Sequence, residues 1–207
     1  MAIPFRSMTG RWLDLERPQP CDIDVRDIAS GLSKVCRFAG QIETFYSVAQ
    51  HAMFVSELVA PALQFRALNH DDSEAYLGDV SHHLKHSTHL AGYRVLEERM
   101  EDVILEALGL SKPTPEEHQA IKDADAYAVL FEHATLRLRL PLTPDLIAEL
   151  LGDGFIRGVD LETLVAIGDR VDQTASWIRP HRKREVRAVE EEFLMRWQIL
   201  KDGRYGA

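Results

Sequence analysis

The helical character of this chain is clearest in residues 47–62, which have the sequence SVAQHAMFVSELVAPA. Ser47 is a residue type that caps helices, and apolar side chains recur after it every three or four positions. They are Val48, Ala52, Val55, Leu58, Val59 and Ala62. This spacing is typical of a helix that buries one face, and it places the imidazole of His51 on or beside that face.

The same periodicity predicts helices along most of the chain. Asp24 is a candidate cap for a helix that ends before Gly40, and Thr114 and Pro115 begin a helix that contains Asp125. Further helices are expected at residues 65–76, 93–108, 143–151, 160–178 and 183–200. Residues 1–24 are expected to be irregular because prolines interrupt them. Since few segments alternate like a strand, the prediction is an all-α, single-domain helical bundle spanning residues 1–207.

Composition narrows the functional classes. Apolar residues make up 45% of the chain and charged residues 28%, which fits a folded globular protein. The formal net charge of −9 disfavours a stable nucleic-acid partner, although a metal and local cations can still attract a small phosphorylated molecule. We expect a cytoplasmic protein without a membrane partner. There is no long apolar run and no secretion signal at the start, and Cys21 and Cys36 are expected to be reduced thiols.

Four side chains are candidate ligands for a divalent metal: His51, His70, Asp71 and Asp125. Two imidazoles and two carboxylates suit a transition metal, and so few protein ligands would leave positions open for water and substrate. His51 and Asp125 both have the spacing of inward-facing residues. Neighbouring residues on a helix diverge by about 100°, so His70 and Asp71 can share an ion only where the helix is irregular.

Three segments carry a resemblance to a known family: Tyr46–His51, Leu68–Asp79 and Ile121–Asp125. Together they resemble the HD-domain phosphohydrolase superfamily, over a recognisable core at about residues 26–135. The closer likeness is to its branch of small bacterial 5′-deoxynucleotidases and dNTP triphosphohydrolases. The family pattern is H…HD…D on a helical core that binds a divalent metal, and the four candidate ligands match it in order. Asn69 departs from the pattern, and Asp123 is an alternative to Asp125.

The resemblance implies a metal-dependent phosphohydrolase of small nucleotides, most simply a 5′-deoxynucleotidase that releases phosphate from dNMPs. The metal would be Co, Mn, Zn, Fe or Ni. Glu74 and Asp79 would be catalytic, orienting or deprotonating the attacking water. Arg37 and Lys85 would contact phosphate. Weaker candidates for substrate binding are Phe38, which could stack on a base or sugar, and His83.

Other functions remain open at this point. One is a dNTP triphosphohydrolase that releases triphosphate, and a more distant one is a guanosine tetraphosphate hydrolase. A third, of another class, is a regulatory domain that binds nucleotide without turnover. The histidines at 82–89 are expected to lie in a loop, and the basic run Arg179–Arg184 to be a solvated surface. By analogy with the family, a homodimer is expected.

Overall fold

The computed structural model describes residues 2–170 and 185–205, and helices dominate both stretches. They are α1 (Val25–Leu32), α2 (Val48–Leu58), α3 (Gln64–Leu68), α4 (Glu74–Leu77), α5 (His82–Lys85), α6 (Ala91–Ala107), α7 (Pro115–Glu132), α8 (Pro144–Gly152), α9 (Leu161–Arg170) and α10 (Val186–Tyr205). The all-α prediction is confirmed, while the HD type of the bundle stays a prediction. None of the described helices combines the length and the apolar composition that a membrane crossing requires.

The N-terminal segment is more ordered than predicted. Strands β1 (Pro4–Arg6) and β2 (Trp12–Asp14) form an antiparallel hairpin, so the expectation of irregular structure over residues 1–24 was wrong there. Gly10 adopts a left-handed φ of +88° in the turn, a conformation that glycine tolerates without steric cost. Leu13 points into the core, and this burial favours the hairpin over an open loop.

Local side chains define where the site-bearing helices begin. Ser47 accepts a hydrogen bond from the backbone of Gln50, and the Gln50 side chain accepts one in return from the backbone of Ser47. Thr114 and Glu117 form the same reciprocal arrangement at the start of α7. These capping boxes satisfy backbone donors that have no partner within a helix. The predicted starts of α2 and α7 are therefore confirmed.

Two apolar clusters meet at α2, which is buried along nearly its whole length. One face of α2 contacts α1 and α10 and belongs to a cluster that includes Met53, Met100 of α6 and Phe193 of α10. The other face contacts α7 and shares a second cluster with α8 and α9, in which Phe54 and Tyr127 are almost completely buried. Because α2 lies between both clusters, the side chain of His51 is held at the centre of the molecule, next to α7.

The helix expected at residues 65–76 is broken. α3 ends at Leu68 and α4 begins at Glu74, with turns between them. The side chain of Asn69 causes the break: its amide donates to the carbonyl of Phe65 at 2.6 Å, an acceptor that a continuing α-helix would use for the backbone N–H of Asn69. That N–H bonds to Arg66 instead. The Asn69 side-chain oxygen accepts a hydrogen bond from Trp197 of α10, which fixes the turn in the core.

The C-terminal part follows the predicted pattern in its described residues. α8 matches the helix predicted at 143–151 to within one residue at each end, and α9 falls within the one predicted at 160–178, part of which lies outside the described residues. α10 occupies most of the predicted 183–200 and continues to Tyr205. After α7, residues His133–Leu138 continue as a wider π-helical turn. The basic run at 179–184 lies outside the described residues.

Candidate metal centre and cleft

Three separate segments bring the candidate ligands together. His51 comes from α2, Asp125 from α7, and His70 with Asp71 from the turn that Asn69 creates. One ligand atom from each of His51, His70 and Asp125 lies within 4.8 Å of the other two, a spacing that could hold a metal ion. Asp71 also reaches this point, since its Oδ2 lies 3.6 Å from His51 Nε2 and 3.2 Å from His70 Nε2. The backbone is therefore irregular at His70 and Asp71, as these two neighbours require in order to share an ion.

The two imidazoles are oriented towards this common point. His70 Nδ1 lies 2.8 Å from the carbonyl of Ala67, and His51 Nδ1 lies 2.7 Å from the carboxylate of Glu132. The opposite ring atoms, both Nε2, are buried: that of His51 lies 3.0 Å from Asp125 and that of His70 lies 3.2 Å from Asp71, but neither contact is aligned as a regular hydrogen bond. Buried polar atoms normally have a partner. Two such atoms facing Asp125 are therefore a suitable donor set for a metal ion.

The carboxylates strongly favour protonated imidazoles in the metal-free protein. Burial and Arg37 would lower the pKa of His51, but Glu132 and Asp125 outweigh them and raise it to about 9. Burial would likewise lower the pKa of His70, while Asp71 and Asp125 raise it to about 9. The carboxyl of Asp71 has a pKa well below its ordinary value; burial opposes this shift, but His70 and His51 outweigh it. A divalent cation would satisfy these acids in place of the two protons.

A cleft of about 340 Å³ opens beside the candidate metal centre. Asp71 and Asp125 line it, and so do five other residues predicted from the sequence: Arg37, Phe38, Glu74, Asp79 and Lys85. Burial, together with Asp71 and Asp79, raises the pKa of Glu74 to about 9 in the metal-free protein. The cleft therefore has the proton-carrying and cationic groups that phosphate chemistry uses.

The two predicted phosphate contacts are held by carboxylates. Arg37 pairs with Glu132 at 3.3 Å and lies 4.0 Å from Asp79, and Lys85 pairs with Glu97 at 2.6 Å. Although burial opposes the charged form, these acids keep the pKa of both cations above its usual value. Both cations are consequently charged and fixed in position at neutral pH.

Phe38 lies in an unusual backbone conformation. Phe38 and the following Ala39 both have left-handed φ angles, 56° and 51°, which are strained for residues other than glycine. The guanidinium carbons of Arg37 and Arg137 lie 5.7 Å and 5.8 Å from the centre of the Phe38 ring. The ring therefore packs against cations in the cleft, and stacking on a base stays a prediction.

Other expectations have mixed outcomes. Asp123 is half-buried and accepts a hydrogen bond from Gln119, whereas Asp125 is the acid that groups with the two candidate histidines. The predicted loop over the histidines was wrong for His82–Lys85, which form α5, with His82 lining the cleft. The side chain of His83 lies outside the described residues.

Sequence reasoning missed Glu132, Lys122, Arg137 and Arg157. Glu132 is completely buried against His51. Glu132 follows Asp125 by seven residues, and this spacing places both side chains on the same face of a helix. That pattern could have identified it from the sequence. The three cations line the cleft but come from separate segments, so no local pattern marks them.

No known family model matches this chain. Two curated proteins are similar to it in sequence. The protein YfdR of Escherichia coli K12, described as uncharacterized, is 38% identical over 134 residues, covering 65% of this chain and 72% of YfdR. The protein RCAP_rcc00048 of Rhodobacter capsulatus, also described as uncharacterized, is 37% identical over 137 residues, covering 61% of this chain and 69% of that protein. The chain belongs to the family that includes these two bacterial proteins.

Proposed function

We propose that this protein is a metal-dependent phosphohydrolase of the HD-domain type that releases phosphate from deoxynucleoside 5′-monophosphates. The observation that supports it best is the convergence of the His51 and His70 Nε2 atoms with Asp125, at the edge of a cleft that holds charged acids and bases. Structural metal sites are usually closed by protein ligands, whereas this group opens onto the cleft. An open position is what a catalytic metal needs.

His51, His70 and Asp125 would hold the metal, with Asp71 as the fourth ligand. Nitrogen and carboxylate donors suit Co, Mn, Zn, Fe or Ni. When bound, such a metal supplies positive charge that lowers the pKa of nearby water and polarises a phosphoryl oxygen. The same positive charge would lower the pKa of Glu74 from its metal-free value, which makes this carboxylate available to accept a proton.

Side chains of the protein bind the phosphate and activate the water. Arg37 and Lys85 neutralise and orient the phosphate oxygens. Glu74 and Asp79 orient the attacking water, and one of them takes its proton. As water oxygen bonds to phosphorus, the bond from phosphorus to the 5′ oxygen breaks, and the leaving oxygen takes up a proton to become the nucleoside hydroxyl.

One observation favours the triphosphohydrolase as a second candidate. Lys122, Arg137 and Arg157 line the cleft in addition to the two predicted cations, and a longer phosphate chain needs more positive charge. A panel of dNMPs and dNTPs distinguishes the candidates, because one releases phosphate and the other triphosphate. A regulatory domain would bind nucleotide and release neither.

The test uses protein treated with EDTA and reloaded with Mn, Co or Zn. We expect Asp71→Ala to lose both metal and turnover, and Glu74→Ala to keep the metal while losing most turnover. Asp123→Ala is the matched control, because its carboxylate lies only two positions from Asp125 but bonds to Gln119 and does not belong to the ligand group. Full activity in Glu74→Ala would refute the role in water activation, and absence of phosphate or triphosphate release with every metal would refute the hydrolase.

A further inference from the structure

Glu132 occupies a distinctive place at the end of α7. It is 0% exposed, and its two oxygens contact side chains with different predicted roles. Oε1 lies 2.7 Å from Nδ1 of His51, whose Nε2 faces the candidate metal centre. Oε2 lies 3.3 Å from a guanidinium nitrogen of Arg37, which lines the cleft beside the candidate metal centre. A single buried carboxylate therefore bridges the metal ligand and the anion contact.

The bridge needs both oxygens of a charged carboxylate. Each oxygen of Glu132 faces a nitrogen on a different side chain, at 2.7 Å for His51 and 3.3 Å for Arg37. A carboxylate accepts hydrogen bonds on both oxygens, whereas an amide of the same shape accepts on one and donates from the other. Glutamine at position 132 could therefore satisfy His51 or Arg37, but not both.

A carboxylate behind a metal-bound histidine fixes the ring orientation and raises the basicity of the ligand. Glu132 would act in this way on His51. The same side chain also fixes the guanidinium of Arg37, which has no other carboxylate of a described residue within 3.5 Å. Any displacement of Glu132 therefore alters both groups together.

We propose that Glu132 is a positioning residue that couples metal binding to anion binding in the cleft. The proposal rests on the proposed function in one respect: it takes His51 as a metal ligand and Arg37 as a phosphate contact. Coupling of this kind is reciprocal, so each ligand changes the affinity for the other by the same factor.

The test compares wild type, Glu132→Gln and Glu97→Gln. Glu97 is the matched control because it is also a buried glutamate that holds a cleft cation, Lys85, but it contacts neither candidate histidine. Calorimetric titration measures the affinity for Mn²⁺ and for inorganic phosphate, each alone and in the presence of the other, and thermal unfolding verifies that each variant is folded.

We expect Glu132→Gln to lower the affinity for Mn²⁺ by about 10–100-fold and the affinity for phosphate by several-fold, and to reduce the factor by which each ligand changes the affinity for the other. Glu97→Gln should lower only the phosphate affinity. This contrast separates coupling from a general structural loss. A folded Glu132→Gln with the wild-type affinity for either ligand would overturn the proposal.

If Glu132→Gln does not fold, Glu132→Asp provides the comparison. Its carboxylate keeps the charge but is one methylene shorter and cannot reach both partners, so at least one affinity should fall about tenfold. Wild-type values for both ligands would overturn the coupling. These measurements involve no turnover, so they can succeed even if no nucleotide is hydrolysed; wild-type protein that bound no Mn²⁺ would instead refute the proposed function itself.

Discussion

Gly31→Ala tests how closely α1 must approach the segment that carries Glu74. In most helix positions this substitution stabilises a protein, because alanine has a higher helix propensity by about 1 kcal/mol. Here a β-carbon at position 31 would lie 2.7 Å from the carbonyl oxygen of Ala75, 2.8 Å from its β-carbon and 2.9 Å from its α-carbon. Two of these three atoms belong to the backbone of α4, so α4 itself must move.

The steric cost should exceed the gain in propensity. Forcing an extra methyl group into a packed contact costs roughly 1–3 kcal/mol. We therefore expect a net loss of up to about 2 kcal/mol in the free energy of unfolding, which corresponds to a fall in Tm of up to about 8 °C for a chain of this size. Displacement of α4 should also lower turnover, because Glu74 is the first residue of that helix.

Gly92→Ala is the matched control for thermal and denaturant unfolding. Gly92 is also helical, in α6, but a β-carbon there would meet no atom within 4 Å. Its substitution should leave stability unchanged or raise it by up to about 1 kcal/mol. If Gly31→Ala were as stable as Gly92→Ala, the close approach of α1 and α4 would not limit the fold, and the reasoning would be refuted.

Two further predictions concern ligand binding. Metal uptake at pH 7 should release at least two protons, because it displaces them from His51 and His70, whose pKa values are raised to about 9, and because it lowers the raised pKa of Glu74. Apparent metal affinity should thus rise at least about 100-fold per pH unit below pH 9, and titration at several pH values that gave one constant affinity would contradict this. The stability of the metal-free protein should fall as pH rises from about 6.5 through 9, because folding raises the pKa of both histidines. Replacing Lys122, Arg137 and Arg157 together by Gln should raise KM for nucleotides several-fold and leave kcat unchanged. The rise in KM should be largest at low salt, where charges are least screened. An unchanged KM would show that these cations do not bind substrate.

Much of the local structure could be predicted from the sequence. The caps Ser47 and Thr114 act on their own backbone within three residues, so the starts of α2 and α7 were visible without tertiary information. The prediction failed at residues 69–73, where the Asn69 side chain interrupts the helix. Trp197 holds that side chain from a position 128 residues away, and helical periodicity carries no information about such a contact.

The sequence alone determined where α2 and α7 begin and which side chains are candidates for metal ligands, because capping and periodicity depend on near neighbours. Only the tertiary structure decided that His51, His70 and Asp125 converge, that Asp123 points elsewhere, and that Glu132 stands behind His51. The convergence of these ligands depends on how α2 packs against α7 and on where the helix is interrupted between α3 and α4. Those are properties of packing between distant segments, which no single stretch of sequence specifies.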